Sequence, residues 1–141
     1  MNKEKKILAL VQARMGSKRF PGKMLKILGD KTILEWVLLR TSSSKLIDKT
    51  ILITSTLKRD DVLIDISNNL KISTFRGSES DVLDRFSKAA DIYNGDFIVR
   101  ICADNPFIDG IEIDRLIKFY IKNNFDYCFN NQNKLNSNYA D

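Results

Sequence analysis

The 141-residue sequence predicts an α/β fold built on a mostly parallel sheet, and three observations carry that expectation. Short, continuous apolar runs alternate along the chain with segments whose apolar residues recur at helical spacing. The connections between them are short. No composition shift, internal repeat or Pro/Gly/Ser-rich linker divides residues 1–141, so they read as a single domain. A hydrophobic content of 43% fills one core and hardly two.

Residues 7–11 form an unbroken apolar run, as expected of a strand buried on both faces. Thr32 and Glu35 have capping-box spacing, and Leu34, Val37, Leu38 and Thr41 then share one helical face. Residues 51–54 read as a second strand, 60–70 as a second helix and 73–75 as a short third strand. Val82, Phe86, Ala89, Ala90 and Tyr93 mark a third helix, which Asn94-Gly95 ends. Residues 97–102 give a fourth strand, and Ile113, Leu116, Ile117, Tyr120 and Ile121 a fourth helical stripe. Residues 127–129 read as a fifth strand. Strands and helices in this alternation, joined by right-handed crossovers, stack as three layers. From Asn130 the sequence turns polar and Asn-rich, a loop leading onward, so the fold is expected to be incomplete at Asp141.

The first strand opens directly into Gln12-Ala13-Arg14-Met15-Gly16-Ser17-Lys18-Arg19-Phe20-Pro21-Gly22-Lys23. Across residues 12–31, Arg14, Lys18, Arg19, Lys23, Lys26 and Lys31 face Asp30 alone, so the net +5 of the chain is concentrated here. Gly16 and Gly22 let the backbone approach an anion with its N–H groups. At the carboxyl end of a buried strand, where open α/β sheets bind ligands, this is a phosphate cradle in outline. A solvated basic loop is the plainer reading of the same charges. The loop is neither a Walker A motif, since Met24 follows Lys23, nor Gly-x-Gly-x-x-Gly.

Composition narrows the chemistry further. The chain has no histidine, which removes Cys/His zinc sites, histidine-dependent triads and imidazole acid–base catalysis. Most phenylalanines lie within apolar runs, so a small anionic molecule suits the basic charge better than nucleic acid does. Residues 1–6 are charged and the apolar run after them is too short for a signal peptide or membrane span. Cys102 and Cys128 lie in expected strands and read as buried core thiols, suited to a reducing cytoplasm.

Two further segments carry chemistry. Arg100 to Asp109 ends the fourth strand, and Asp104 there is a hard-oxygen ligand suited to Mg²⁺. Pro106 keeps the chain extended, turning Asp104 toward the rim that carries the basic loop. Asp104 could equally form a turn, and Asp109 is expected to cap the next helix. In residues 75–85, Ser78 or Ser80 reads as a helix cap with acids in the first turn. Arg76, just after a strand, has no such structural excuse.

Together these three segments resemble the cytidylyltransferase family, which includes the CMP-sialic acid (acylneuraminate) synthetases. The likeness is greatest to its spore coat polysaccharide biosynthesis branch, whose members pair Ala-Arg-Met-Gly-Ser (here 13–17) with Asp-Val-Leu-Asp-Arg (here 81–85). It runs in order through essentially the whole chain and is to the N-terminal portion of that family. The resemblance implies a Rossmann-like nucleotide-diphospho-sugar transferase fold, CTP as substrate, Mg²⁺ as cofactor, and a sugar acid activated to a CMP-sugar for surface glycans. In it, Ala13, Arg14, Gly16, Ser17, Lys18 and Lys23 match the nucleotide-binding loop, with Arg14 and Lys23 as its catalytic charges. Arg76, Ser78 and Arg100 match groups around the cytosine, and Asp104 matches the metal-binding aspartate. Family members continue with a segment that supplies a second acidic ligand, sugar contacts and a homodimer interface. Without it a sheet edge and apolar surface would be exposed. Two other readings stay open: a glycosyltransferase of the same fold using a nucleotide sugar, and a non-catalytic nucleotide-binding module. Ala103-Asp104-Asn105 offers one carboxylate where the first would carry Asp-x-Asp.

Overall fold

A computed structural model describes residues 5–17 and 19–130. In chain order it contains β1 (Ile7–Gln12), the strands β2 (Ile27–Leu28) and β3 (Lys31–Thr32) of a small hairpin, and α1 (Ile33–Ser42). There follow β4 (Lys49–Ser55), α2 (Asp61–Asn69), β5 (Ser73–Gly77), α3 (Val82–Ile92), β6 (Phe97–Cys102) and α4 (Gly110–Asn123). Single turns of 3₁₀ helix cover Lys23–Leu25 and Lys58–Asp60.

The unbroken apolar run of β1 puts it inside the sheet, whose order is β5-β4-β1-β6 with every pairing parallel. Leu8, Ala9, Leu10 and Val11 are wholly buried because both faces of this strand are covered. On one face Ile7, Val11, Leu52 and Ile101 pack with Leu34, Val37 and Leu38 of α1, Leu63 of α2, and Ile113 and Ile117 of α4. On the other, Leu8, Leu10, Ile51 and Ile53 meet Ala89, Phe86 and Tyr93 at α3. These are the three layers expected. Complete burial of each of these leucines contributes about 1.5–3 kcal/mol.

The local signals act as read. The Thr32 hydroxyl accepts from the Glu35 amide at 3.2 Å, and the Glu35 carboxylate accepts from the Thr32 amide at 2.7 Å, closing the capping box of α1. Asp109 caps α4 by accepting from the Ile111 amide at 2.7 Å. Asn94 takes the left-handed conformation just past α3, with φ of 54°.

Four expectations change. Residues 127–129 form no strand, since the outer edge of β6 pairs with nothing among the described residues and a strand needs a partner. Cys102 is exposed, because β6 pairs only with β1 among the described residues and the face carrying Cys102 extends past α3; Cys128, outside any strand, is half-buried. β5 runs on to Gly77, placing Arg76 within the strand. The cap of α3 is Asp81, which accepts from the Asp84 amide, while Ser78 Oγ accepts from the Asp81 amide.

Candidate functional site

Strand order fixes where a ligand can enter. From β1 the chain moves outward to β4 and β5, then crosses back to β6 on the other side of β1. β1 and β6 are paired side by side, so the loops that leave them start together at the carboxyl end of the sheet, the end where open parallel sheets bind ligands. A cleft of about 890 Å³ lies there. Its lining includes Gln12, Ala13, Arg14, Met15, Gly16, Ser17, Arg19 and Lys23 from the basic loop, and Arg100, Cys102, Ala103 and Asp104 from β6 and beyond. Arg59 and Glu79 also line it.

The loop is held by its backbone. The Ala13 amide donates to the Ile53 carbonyl at 3.2 Å and the Ala103 amide to the Gln12 carbonyl at 3.1 Å, continuing the sheet one residue past each strand. The Met15 amide donates to Asp60 Oδ1 at 2.8 Å. Asp60 is wholly buried, and its other oxygen accepts from the Ser55 hydroxyl at 2.5 Å, the Thr54 hydroxyl at 3.2 Å and the Ser55 amide at 3.3 Å. Burial raises the Asp60 carboxyl pKa, but the hydrogen bonds from Ser55, Met15 and Thr54 outweigh it and leave the group below the ordinary aspartate value. Further on, Gly22 turns the chain at φ 69°, a conformation that favours glycine, and starts the 3₁₀ turn whose Met24 is buried. That turn presents Lys23, whose Nζ lies 3.2 Å from Asp104 Oδ2.

The predicted site residues thus divide. Ala13, Arg14, Gly16, Ser17, Lys23, Arg100 and Asp104 meet in the one cleft, although they come from two ends of the sequence. Lys18 lies outside the described residues. Arg76 is turned toward the β4–α2 connection: Nε donates to the Ser55 carbonyl and Nη2 to that of Leu57, both at 3.0 Å, and it pairs with Asp61 at 2.9 Å. Ser78 sits in the turn before α3, its hydroxyl accepting from the Asp81 amide.

Sequence reasoning missed three groups here. Asp60 looked like the acid at a helix start, and nothing local links it to Met15. Arg59 and Glu79 pair with each other against Gly16, where an added Cβ would lie 2.7 Å from Arg59 Nη2 and 3.2 Å from Glu79 Oε1. Arg85 is wholly buried beneath Gly77 and donates to the Ser78 carbonyl. Burial, and then the charge of Arg14, pull its guanidinium below the ordinary arginine value, while Asp60 opposes them. Two signals were available for Arg85: its place at the end of the Asp-Val-Leu-Asp-Arg motif, and its position on the inner face of α3 in register with Ala89.

The described residues hold no cluster of three or more metal-ligating side chains. Asp104 still fits a magnesium ion, because its carboxylate is half exposed in a cleft lined by several Lys and Arg side chains. Mg²⁺ is commonly held by one or two carboxylates together with substrate phosphates. Chemically, then, the cleft can neutralise a chain of phosphates and fix it along the loop.

Known proteins share this arrangement of sequence and fold. The sequence model of the cytidylyltransferase family matches residues 8–140. An uncharacterised protein of Methanocaldococcus jannaschii is 48% identical over 86% of this chain and 50% of its own length. The spore coat polysaccharide biosynthesis protein SpsF of Bacillus subtilis is 36% identical, over 87% of this chain and 53% of its own. A 3-deoxy-manno-octulosonate cytidylyltransferase of Trichlorobacter lovleyi is 32% identical, over 83% and 46%. Among solved structures, a cytidylyltransferase from Leptospira borgpetersenii superposes with a TM-score of 0.81 at 39% identity, over 84% of this chain and 50% of that one. The chain spans about half the length of the curated relatives it matches. With the family model covering nearly every residue and the basic loop facing Asp104 across one cleft, the chain belongs to the cytidylyltransferase family.

Proposed function

We propose that the cleft binds CTP, with Mg²⁺ on Asp104, for transfer of the cytidylyl group to a hydroxyl of a sugar acid in surface glycan synthesis. The observation that supports this most is the meeting of Lys23 and Asp104, at 3.2 Å, at the mouth of the phosphate loop. A cation and a hard anion facing each other are what a phosphate–metal pair needs: the lysine turns to phosphate and the carboxylate to metal.

In the reaction the acceptor hydroxyl oxygen attacks the α-phosphorus in line. A new P–O bond forms, the bond to the β-phosphate bridging oxygen breaks, pyrophosphate leaves with that electron pair, and the hydroxyl proton passes to solvent. Such transfer rests on positioning and charge neutralisation. Backbone N–H groups near Gly16 and Ser17 would cradle the phosphates, Arg14 would neutralise their oxygens, and Lys23 would stand nearest the reacting phosphorus. The bound magnesium would supply further charge for the departing pyrophosphate. A relative named as a 3-deoxy-manno-octulosonate cytidylyltransferase supports a sugar acid as acceptor, and one named for spore coat polysaccharide biosynthesis supports a surface glycan as the destination.

Thermal denaturation with nucleotides tests the reading. CTP with Mg²⁺ should raise the melting temperature more than CDP, UTP or ATP does. Equal shifts for all four would leave a general anion site and remove the cytidine assignment. Release of pyrophosphate from CTP in the presence of candidate sugar acids then identifies the acceptor.

A further inference from the structure

Arg59 is absent from the basic loop, yet it reaches the same cleft from the 3₁₀ turn Lys58–Asp60. Its backbone is fixed there because the next residue, Asp60, is the buried anchor of the Met15 amide. Its guanidinium pairs with Glu79, and the pair rests on the backbone at Gly16, where a side chain would collide with it. Five described cations line the cleft: Arg14, Arg19, Lys23, Arg59 and Arg100. Two carboxylates line it as well, and each is matched to one cation, Asp104 to Lys23 and Glu79 to Arg59. Both members of the second pair are partly exposed, so the bond between them is weak and readily exchanged. A phosphate group, which accepts both arms of a guanidinium as a carboxylate does and carries more charge, is the stronger partner.

We propose that Arg59 is a phosphate-binding residue held in reserve by Glu79, and that a triphosphate entering along Gly16 takes the guanidinium over from the carboxylate. The proposal rests on the reading of the cleft as a triphosphate site and adds to it a handover that the basic loop does not contain. Glu79 then acts as an internal competitor. It keeps the free cleft closer to neutral and weakens the binding of any anion too short to displace it.

The test is calorimetric titration of the purified chain with inorganic tripolyphosphate, which lacks a base and so probes the phosphate contacts alone. Four proteins are compared: the natural chain, Arg59→Gln, Glu79→Gln and the double variant, with thermal melts to show that each is folded. Arg59→Gln should weaken binding about fivefold, and Glu79→Gln should tighten it by about three- to fivefold. The decisive comparison is between backgrounds: once Arg59 is gone, Glu79→Gln should recover much less than it does when Arg59 is present. Equal effects of Glu79→Gln in both backgrounds would show a distant charge and overturn the handover, as would unchanged or weaker binding by Glu79→Gln alone. Glu79→Ala should repeat the pattern. A natural chain that fails to bind tripolyphosphate would overturn the triphosphate site and the handover with it, an outcome distinct from additive effects on a protein that binds.

Discussion

Replacing Asp60 by Asn keeps the shape of the side chain and removes its charge, at the point where the loop is tied to the sheet. The carboxylate accepts four hydrogen bonds, one from the Met15 amide and three from Thr54 and Ser55. An amide has one acceptor oxygen, so it can serve one side of this network while its NH₂ faces donors on the other. Hydrogen bonds to charged groups contribute about 1.5–3 kcal/mol each, and hydroxyls that rotate recover part of the loss. The expected destabilisation at neutral pH is therefore about 2–3 kcal/mol. For a chain of this length about 3 °C is lost per kcal/mol, which gives a fall in Tm of about 6–9 °C. Urea denaturation should show a lower midpoint with an unchanged slope.

The pH dependence isolates the charge. Because the folded Asp60 carboxyl lies below its ordinary value, its contribution is fully present above the unfolded value and is lost as pH falls through the folded one. The stability gap between natural and variant chains should thus be constant from neutral pH down to about pH 5, and should narrow below about pH 4. Other carboxylates titrate in both proteins and cancel in the difference. A variant as stable as the natural chain at pH 7, or a gap that widens in acid, would refute the account of Asp60 as a charged anchor.

Other perturbations probe the cleft and the core. Lys23→Ala should weaken CTP binding by about tenfold or more, while Arg19→Ala should do much less; equal losses would mean a diffuse charge cloud instead of a shaped cradle. Mg²⁺ should have little effect on the free chain but strengthen CTP binding, and Asp104→Ala should abolish that strengthening in calorimetric titrations. Gly110→Ala would place a Cβ 2.7 Å from the Ser44 amide nitrogen and 2.8 Å from the Ser43 carbonyl carbon, so denaturation should show a loss of about 1–3 kcal/mol as α4 is pushed off α1.

The sequence by itself determined the features that depend on near neighbours. Apolar runs and helical stripes gave β1, β4, β6 and the four helices, because side-chain period is a property of the local backbone. Thr32 with Glu35 and Asp109 with Ile111 act within a single turn, so their caps were legible. The basic loop, too, was visible as a local excess of charge at the end of a buried strand. Only the tertiary structure decided what strand order controls. The sequence pattern cannot say that β6 pairs only with β1 among the described residues, so Cys102 read as core and residues 127–129 as a strand with a partner. Arg76 showed no structural partner in the sequence because its acceptors, the Ser55 and Leu57 carbonyls, lie at the end of the neighbouring strand β4 and in the turn after it. Asp60 and Met15 are 45 residues apart, and they meet because the chain ends of β1 and β4 emerge side by side. A parallel sheet brings every strand's carboxyl end to one rim. The cleft is assembled from those ends, so the members on the basic loop and after β6 were nameable one at a time, while Arg59, Glu79 and the contacts among them required the fold.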